Sequence, residues 1–243
     1  MHDLTQRQVE ILKSLIEEYI NTAEAVGSET LEKKYNLSAS PATIRNEMVR
    51  LTELNYLKKP HTSAGRIPTS EGMKFYVQQL MREKELSVAE EVAVKEKVWD
   101  SRDNIQRCLR EVTKTLADKT KTLAVASTDD GELIISGYSY ILDAPEFYDI
   151  NTTKILLEAI DEYSYFRTIF SQFLGDAEVH VLLGADLGER LKGPYGVVFT
   201  GFETPMRLKG DIGIIGPSRL NFPSVVPMVR YFGELIEEIA KGW

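Results

Sequence analysis

Residues 40–69, SPATIRNEMVRLTELNYLKKPHTSAGRIPT, constrain the fold of this chain more than any other stretch. Ser40 is a good helix N-cap, and Pro41 suits the first helical position, where its missing N–H removes no bond. Ile44, Met48 and Leu51 follow at i, i+4 and i+7 and make one apolar stripe. At about 100° per residue, Ala42, Asn46, Val49 and Arg50 fall opposite that stripe, with Thr43 and Arg45 on its flanks. A helix that buries one side and shows small, amide and guanidinium groups on the other suits a DNA major groove. Asn can bond adenine and Arg can bond guanine, each through two hydrogen bonds. Taken alone, the pattern fits an ordinary amphipathic helix equally well, so the neighbouring segments decide.

Upstream, GSETLEKKYNLS predicts a shorter helix capped by Ser28, with Leu31 and Tyr35 at i and i+4. NLSAS is then a tight turn into the Pro41 helix, the order of a helix-turn-helix. Downstream, Asn55 ends the helix, and YLKK and RIP bracket the loop PHTSAG, which predicts a β-hairpin wing. The segment is therefore a winged helix. The candidate DNA-contacting residues are Ser40, Thr43, Arg45, Asn46 and Arg50 on the helix and its cap, with Lys58, Lys59, His61, Thr62, Ser63 and Arg66 on the wing. Asn46 and Arg50 are placed to read bases; Arg45, Lys58, Lys59 and Arg66 are placed to hold the backbone.

The run VGSETLEKKYNLSASPATIRNEMVRLTELNYLKKPHTSAGRIPTSEGMKFYV closely resembles the N-terminal domain of the HrcA family of heat-inducible transcription repressors. SPATIRNEM and PHTSAGRIPT carry most of that resemblance, and GDIGIIGPSRLNFPSVVPMVRYF adds a second match near the C-terminus, in the family's order. The resemblance implies a repressor of chaperone operons that binds an inverted-repeat operator and depends on a GroEL-type chaperonin. It also implies a C-terminal GAF-like domain, and a dimer made through an inserted segment. Here Ala126 reaches Leu133 through STDDGE alone, so the chain resembles a short form lacking that insert and the early strands of the sheet.

Net charge is −8, unusual for a DNA binder until it is divided. Residues 1–80 hold ten Lys/Arg and ten Asp/Glu, so the whole acidic excess lies in the remainder. An acidic body repels DNA and would turn the neutral domain's basic wing towards the phosphates. No apolar run approaches the roughly 20 residues that span a bilayer, and the N-terminus has no signal-peptide core. The single Cys108 excludes an intrachain disulfide and is read as a small packed residue. The expected location is the cytoplasm.

Along the chain, TQRQVEILKSLIEEYINT is an amphipathic helix capped by Thr5, with Val9, Leu12, Ile16, Tyr19 and Ile20 as its buried stripe. After the wing, Thr69 or Ser70 caps a helix whose Phe75, Val77 and Leu80 are expected to pack inward, with Tyr76 inward or towards a partner. SVAEEVAVKEKVWDSRDNIQRCLREVTKTLADKTKTLAVAS predicts two charged helices breaking near Asp100–Arg102, with Ile105, Leu109, Val112 and Leu116 at helical spacing. From Leu133 the period changes: LIISGYSYIL, EVHVLLG, GVVFTGF and LKGDIGIIG are strand-like. NTTKILLEAIDEYSYF, RTIFSQFLG and the segment after Pro223 are helical. The expected fold is α+β, divided as 1–82 winged helix, 83–126 helical connector and 127–243 GAF-like α+β domain, the last truncated.

Catalytic chemistry finds no support. His2, His61 and His180 are far apart, and the glycines of GADLGERLKG and GFETPMRLKG match no phosphate-binding fingerprint. No enzyme activity, metal or cofactor is expected. Three functions remain: a sequence-specific repressor, which leads; a winged-helix regulator sensing a small molecule through its C-terminal domain; and a protein-interaction module that has lost DNA binding. Asn46, Arg50 and Arg66 argue against the third. Because one winged helix covers a short half-site, a homodimer held by residues 87–243 is expected.

Overall fold

The structure is a computed structural model describing residues 4–61, 64–172 and 178–241. It divides into two compact units, Met1–Arg82 with Asn221–Pro223, and Glu83–Leu220 with Ser224–Trp243.

The first unit opens with α1 (Gln6–Thr22), started by a capping box in which Thr5 Oγ1 accepts from the Gln8 N–H and Gln8 Oε1 accepts from the Thr5 N–H. Its buried face is centred on Ile11, Leu12, Leu15 and Ile16, while Val9, Tyr19 and Ile20 are only half-buried. The stripe is therefore broader than expected and rotated towards Ile11 and Leu15. α2 (Ser28–Lys34) is capped by Gly27, not by Ser28. Ser28 is instead its first helical residue and is buried, because Gly27 is the last residue with extended backbone.

α3 (Pro41–Glu53) starts as its sequence requires, with Ser40 Oγ accepting from the Thr43 N–H at 3.2 Å and Pro41 in the first turn. Ile44, Met48 and Leu51 are buried. Asn55, at φ 63°, turns the chain out of the helix into β1 (Leu57–Lys58), which pairs antiparallel with β2 (Ile67–Pro68). The wing is secured at its base as well. Val26 and Arg66 exchange two backbone hydrogen bonds, each 2.9 Å, and Gly65 lies so close that a Cβ there would stand 2.3 Å from the Val26 carbonyl oxygen.

Thr69 is the cap of α4 (Ser70–Phe75): its hydroxyl accepts from the Gly72 N–H and donates to the Asn55 carbonyl. The chain then widens into a π-helical turn, Tyr76–Leu80. That turn moves the packed face to Met73 and Tyr76, leaving Phe75, Val77 and Leu80 half-buried. Tyr76 is thus a core residue, its phenol pushed up to about 12, chiefly by burial.

The second unit begins with α5 (Val88–Trp99) and α6 (Ile105–Thr120), which pack together across the break predicted near Asp100–Arg102. The helical pattern stops earlier than expected. Lys121 takes a left-handed conformation at φ 54°, and β3 (Leu123–Thr128) follows at once. β4 (Leu133–Ser136) is shorter than LIISGYSYIL suggests. Gly137, at φ 89° and against the Thr122 carbonyl, ends it, and α7 (Tyr138–Ile141) follows. α8 (Ile150–Ile160), α9 (Tyr163–Gln172), β5 (His180–Leu183), β6 (Tyr195–Glu203), β7 (Lys209–Pro217) and α10 (Phe222–Ala240) complete the chain.

The strands form one antiparallel sheet in the order β4-β3-β7-β6-β5. Leu123, Val125, Val197, Phe199 and Ile215 face a core closed by Leu156, Phe166 and Phe170 from α8 and α9. The Phe170 and Phe199 rings stack at 4.3 Å. α6 packs on β3, β4 and β7, and on α10 Gly233 meets the Thr200 methyl closely. His180 stacks on Phe199 at 5.0 Å, and burial lowers its pKa.

Two measurements check this packing. Gly65→Ala should destabilise the winged-helix unit by about 1–3 kcal/mol, because two backbones must separate to admit the methyl; thermal melting reads the loss. Asp211, on β7, has its carboxyl pushed up to about 6 by burial, partly opposed by a hydrogen bond from Ser127. A raised folded pKa leaves stability whole below about pH 4 and erodes it as pH rises through about 6. Asp211→Asn should therefore gain about 1–3 kcal/mol at pH values above about 7, and flatten the pH dependence of melting between pH ~4 and ~6.

Candidate nucleic-acid interface

The outer face of α3 is the site's centre. Ala42, Arg45, Asn46, Val49 and Arg50 are exposed, whereas Ile44, Glu47, Met48 and Leu51 are buried behind them. Ser40 and Thr43 stand at the helix entrance, where the Ser40 hydroxyl caps the backbone and lies 3.0 Å from Thr43 Oγ1. Both are thus tied into the cap.

Arg50 keeps most of its side chain in solvent while its Nη1 lies 3.6 Å from Glu47 Oε1. Glu47 was not among the residues singled out from the sequence. Its carboxylate is buried on the inner side of α3, accepts from Gln8 Nε2 of α1 at 3.0 Å, and lies 4.0 Å from Arg7. The signal was present: Glu47 falls between Ile44, Met48 and Leu51 in the apolar stripe, and a polar residue there must find a partner.

On the wing, Lys58, Lys59 and His61 are exposed. Thr62 and Ser63 lie outside the described residues. Arg66 is half-buried: its Nε–H donates to Thr52 Oγ1 at 3.0 Å, and Nη1 reaches the Gly65 carbonyl at 3.4 Å. Thr52 Oγ1 in turn donates to the Met48 carbonyl. Arg66 therefore ties the wing's base to the last turns of α3, a task its sequence position did not reveal. Burial, and then the neighbouring Arg45 charge, lower its pKa. Two guanidinium groups near each other favour an anion beside them.

The geometry thus joins a groove-width helix with a donor-bearing face to a cationic hairpin set at its end. Among the described residues no three His, Cys, Asp or Glu side chains stand together as a metal site. No helix among them is long and apolar enough to cross a membrane.

Comparison with known proteins agrees with this geometry at both ends of the chain. Residues 3–82 match the profile of the winged helix-turn-helix transcription repressor, HrcA DNA-binding, and residues 62–226 that of the HrcA protein C terminal domain. The heat-inducible transcription repressor HrcA of Thermomicrobium roseum is 24% identical over 331 aligned positions, covering 97% of this chain and 95% of that protein. That of Geobacter sulfurreducens is 24% identical over 341 positions and covers all of both chains. Over a shorter span, 52% of this chain and 37% of the relative, the Clostridioides difficile repressor reaches 42% identity. Alignments longer than this chain's 243 residues mean that the relatives carry internal sequence without a counterpart here. A solved structure of a hypothetical protein at 2.2 Å resolution, 17% identical, superposes with a TM-score of 0.76 over 98% of both chains, which shows the shared fold. With both family profiles matched in order across a winged helix and an antiparallel α+β domain, this chain belongs to the HrcA family of heat-inducible transcription repressors.

Proposed function

We propose that this protein represses chaperone genes by binding an inverted-repeat operator as a homodimer, with α3 in the major groove and the wing against the backbone. The observation that carries this reading is the exposed row Arg45, Asn46, Val49 and Arg50, backed by a buried apolar stripe on one capped helix. Asn46 and Arg50 read bases. Arg45, Lys58, Lys59 and the free edge of Arg66 meet phosphates, and Ser40 and Thr43 present the helix start to the backbone, where an anion is favoured. By family resemblance a GroEL-type chaperonin is the second partner, and the protein works in the cytoplasm without catalytic turnover.

A small-molecule sensor is the second reading, favoured by a cavity of about 330 Å³ in the α+β unit, lined by His180, Phe199, Asp211 and Arg230 among others. Arg230 is already held by Glu83, through two hydrogen bonds of 2.7 and 2.9 Å, and lies near Glu178. A ligand would have to compete with those carboxylates, so the repressor reading stands first.

Binding to chaperone-promoter duplex and to a scrambled duplex, at several salt concentrations and with or without chaperonin, tests the proposal. Asn46→Ala should cost about 1–3 kcal/mol on the promoter duplex and relax preference at one base position. Lys58→Ala should weaken both duplexes alike and flatten the salt slope by about one. Equal binding of both duplexes by the parent protein would refute sequence-specific repression. Unchanged specificity in Asn46→Ala would refute the groove assignment.

A further inference from the structure

A strand at the edge of a sheet has backbone donors and acceptors left over, and proteins usually blunt it with lysine, proline or a bulge. β4 is such an edge. Its sequence, Leu133-Ile134-Ile135-Ser136, has none of those residues, and all four are half-exposed. Ladder geometry tells which backbone groups are open. The Thr128 N–H donates to the Glu132 carbonyl, so alternation along the register turns the N–H and C=O of Ile134 and Ser136 towards β3. Those of Leu133 and Ile135 point the other way, off the sheet.

Beside this edge, α6 and β4 enclose a groove of about 490 Å³ whose lining includes Arg110, Glu111, Lys114, Glu132, Ile134 and Ser136. It carries two cations and two carboxylates. Glu132 lies beside Gln106 at the start of α6 and Lys114 two turns further on, so charges of opposite sign stand at the groove's two ends. A two-fold rotation, the symmetry of an isologous dimer, brings unlike charges together.

The geometry points to a second copy of this chain as the occupant of this edge, with β4 pairing antiparallel to the partner's β4 about an axis through Ile134. An axis perpendicular to the sheet keeps its faces in register, so Leu133 falls opposite the partner's Ile135 and exchanges both backbone hydrogen bonds with it. The two sheets then run on as one, and the α6 helices lie on the same face. Arg110 and Lys114 meet the partner's Glu111 and Glu132 there. This deepens the proposed homodimer and rests on that reading only for the need of two half-sites.

The experiment uses the full chain. Sedimentation at micromolar concentration should show a dimer, and Ile134→Lys, which sets two ammonium groups face to face on the axis, should weaken it at least tenfold. Mild oxidation of Ile134→Cys should give a disulfide-linked dimer, since opposed residues of a non-hydrogen-bonded pair stand about 4.5 Å apart at Cα, within disulfide reach. Native Cys108 is buried and should give no such product. Met206→Cys, on the exposed turn between β6 and β7, reports random collision. A monomeric parent, or crosslinking of Ile134→Cys no faster than of Met206→Cys, would overturn the inference. DNA binding is read separately. A chain that crosslinks through position 134 but cannot tell promoter from scrambled duplex counts against the repressor reading and leaves the edge pairing standing.

Discussion

A carboxylate buried in a helix must be answered by donors from elsewhere, and in α3 the demand falls on Glu47. Gln8 of α1 supplies a hydrogen bond at 3.0 Å, with Arg7 and Arg50 at 4.0 and 3.6 Å. Because a buried carboxylate left without partners costs several kcal/mol, α3 cannot rotate about its own axis without breaking that set. The outward aim of Asn46 and Arg50 thus follows from what Glu47 touches on the opposite side. The same carboxylate draws Arg50 Nη1 to 3.6 Å while leaving the guanidinium largely in solvent.

A second glutamate repeats the device. Glu18, buried on α1, accepts from Lys34 Nζ at 2.5 Å and from Tyr35 Oη at 3.3 Å. The Tyr35 phenol is pushed up to about 12, first by burial and then by the Glu18 charge, so it stays a donor at any ordinary pH. α1 therefore holds α2 through one carboxylate and α3 through another. The angle of the helix-turn-helix is set by directional polar bonds as well as by Ile11, Leu15, Leu31 and Ile44 in the core.

The winged helix was legible in the sequence because its signals are local. Ser40 with Pro41, Thr69 three residues before Gly72, and the Asn55 turn each act within a few residues. The α+β unit was harder for two physical reasons. β3 is buried on both faces, and its alanines, which favour helix by propensity, alternate with the Leu123 and Val125 that face the core under α8 and α9. The run LAVAST therefore extends the preceding helical pattern instead of breaking it. LIISGYSYIL errs the other way: its β-rich composition hides the left-handed Gly137, whose closeness to the Thr122 carbonyl depends on residues folded from elsewhere. At the candidate interface the exposed face of α3 could be read from spacing, whereas the bond from Arg66 to Thr52 spans 14 residues and exists only once the hairpin has folded back on the helix.

That bond, with the Val26–Arg66 bridge, fastens the foot of the wing both to α3 and to the turn before α2. A load on the wing is therefore passed through Arg66 and Thr52 to the last turns of α3, so hairpin and helix respond as one lever and not as two separate arms.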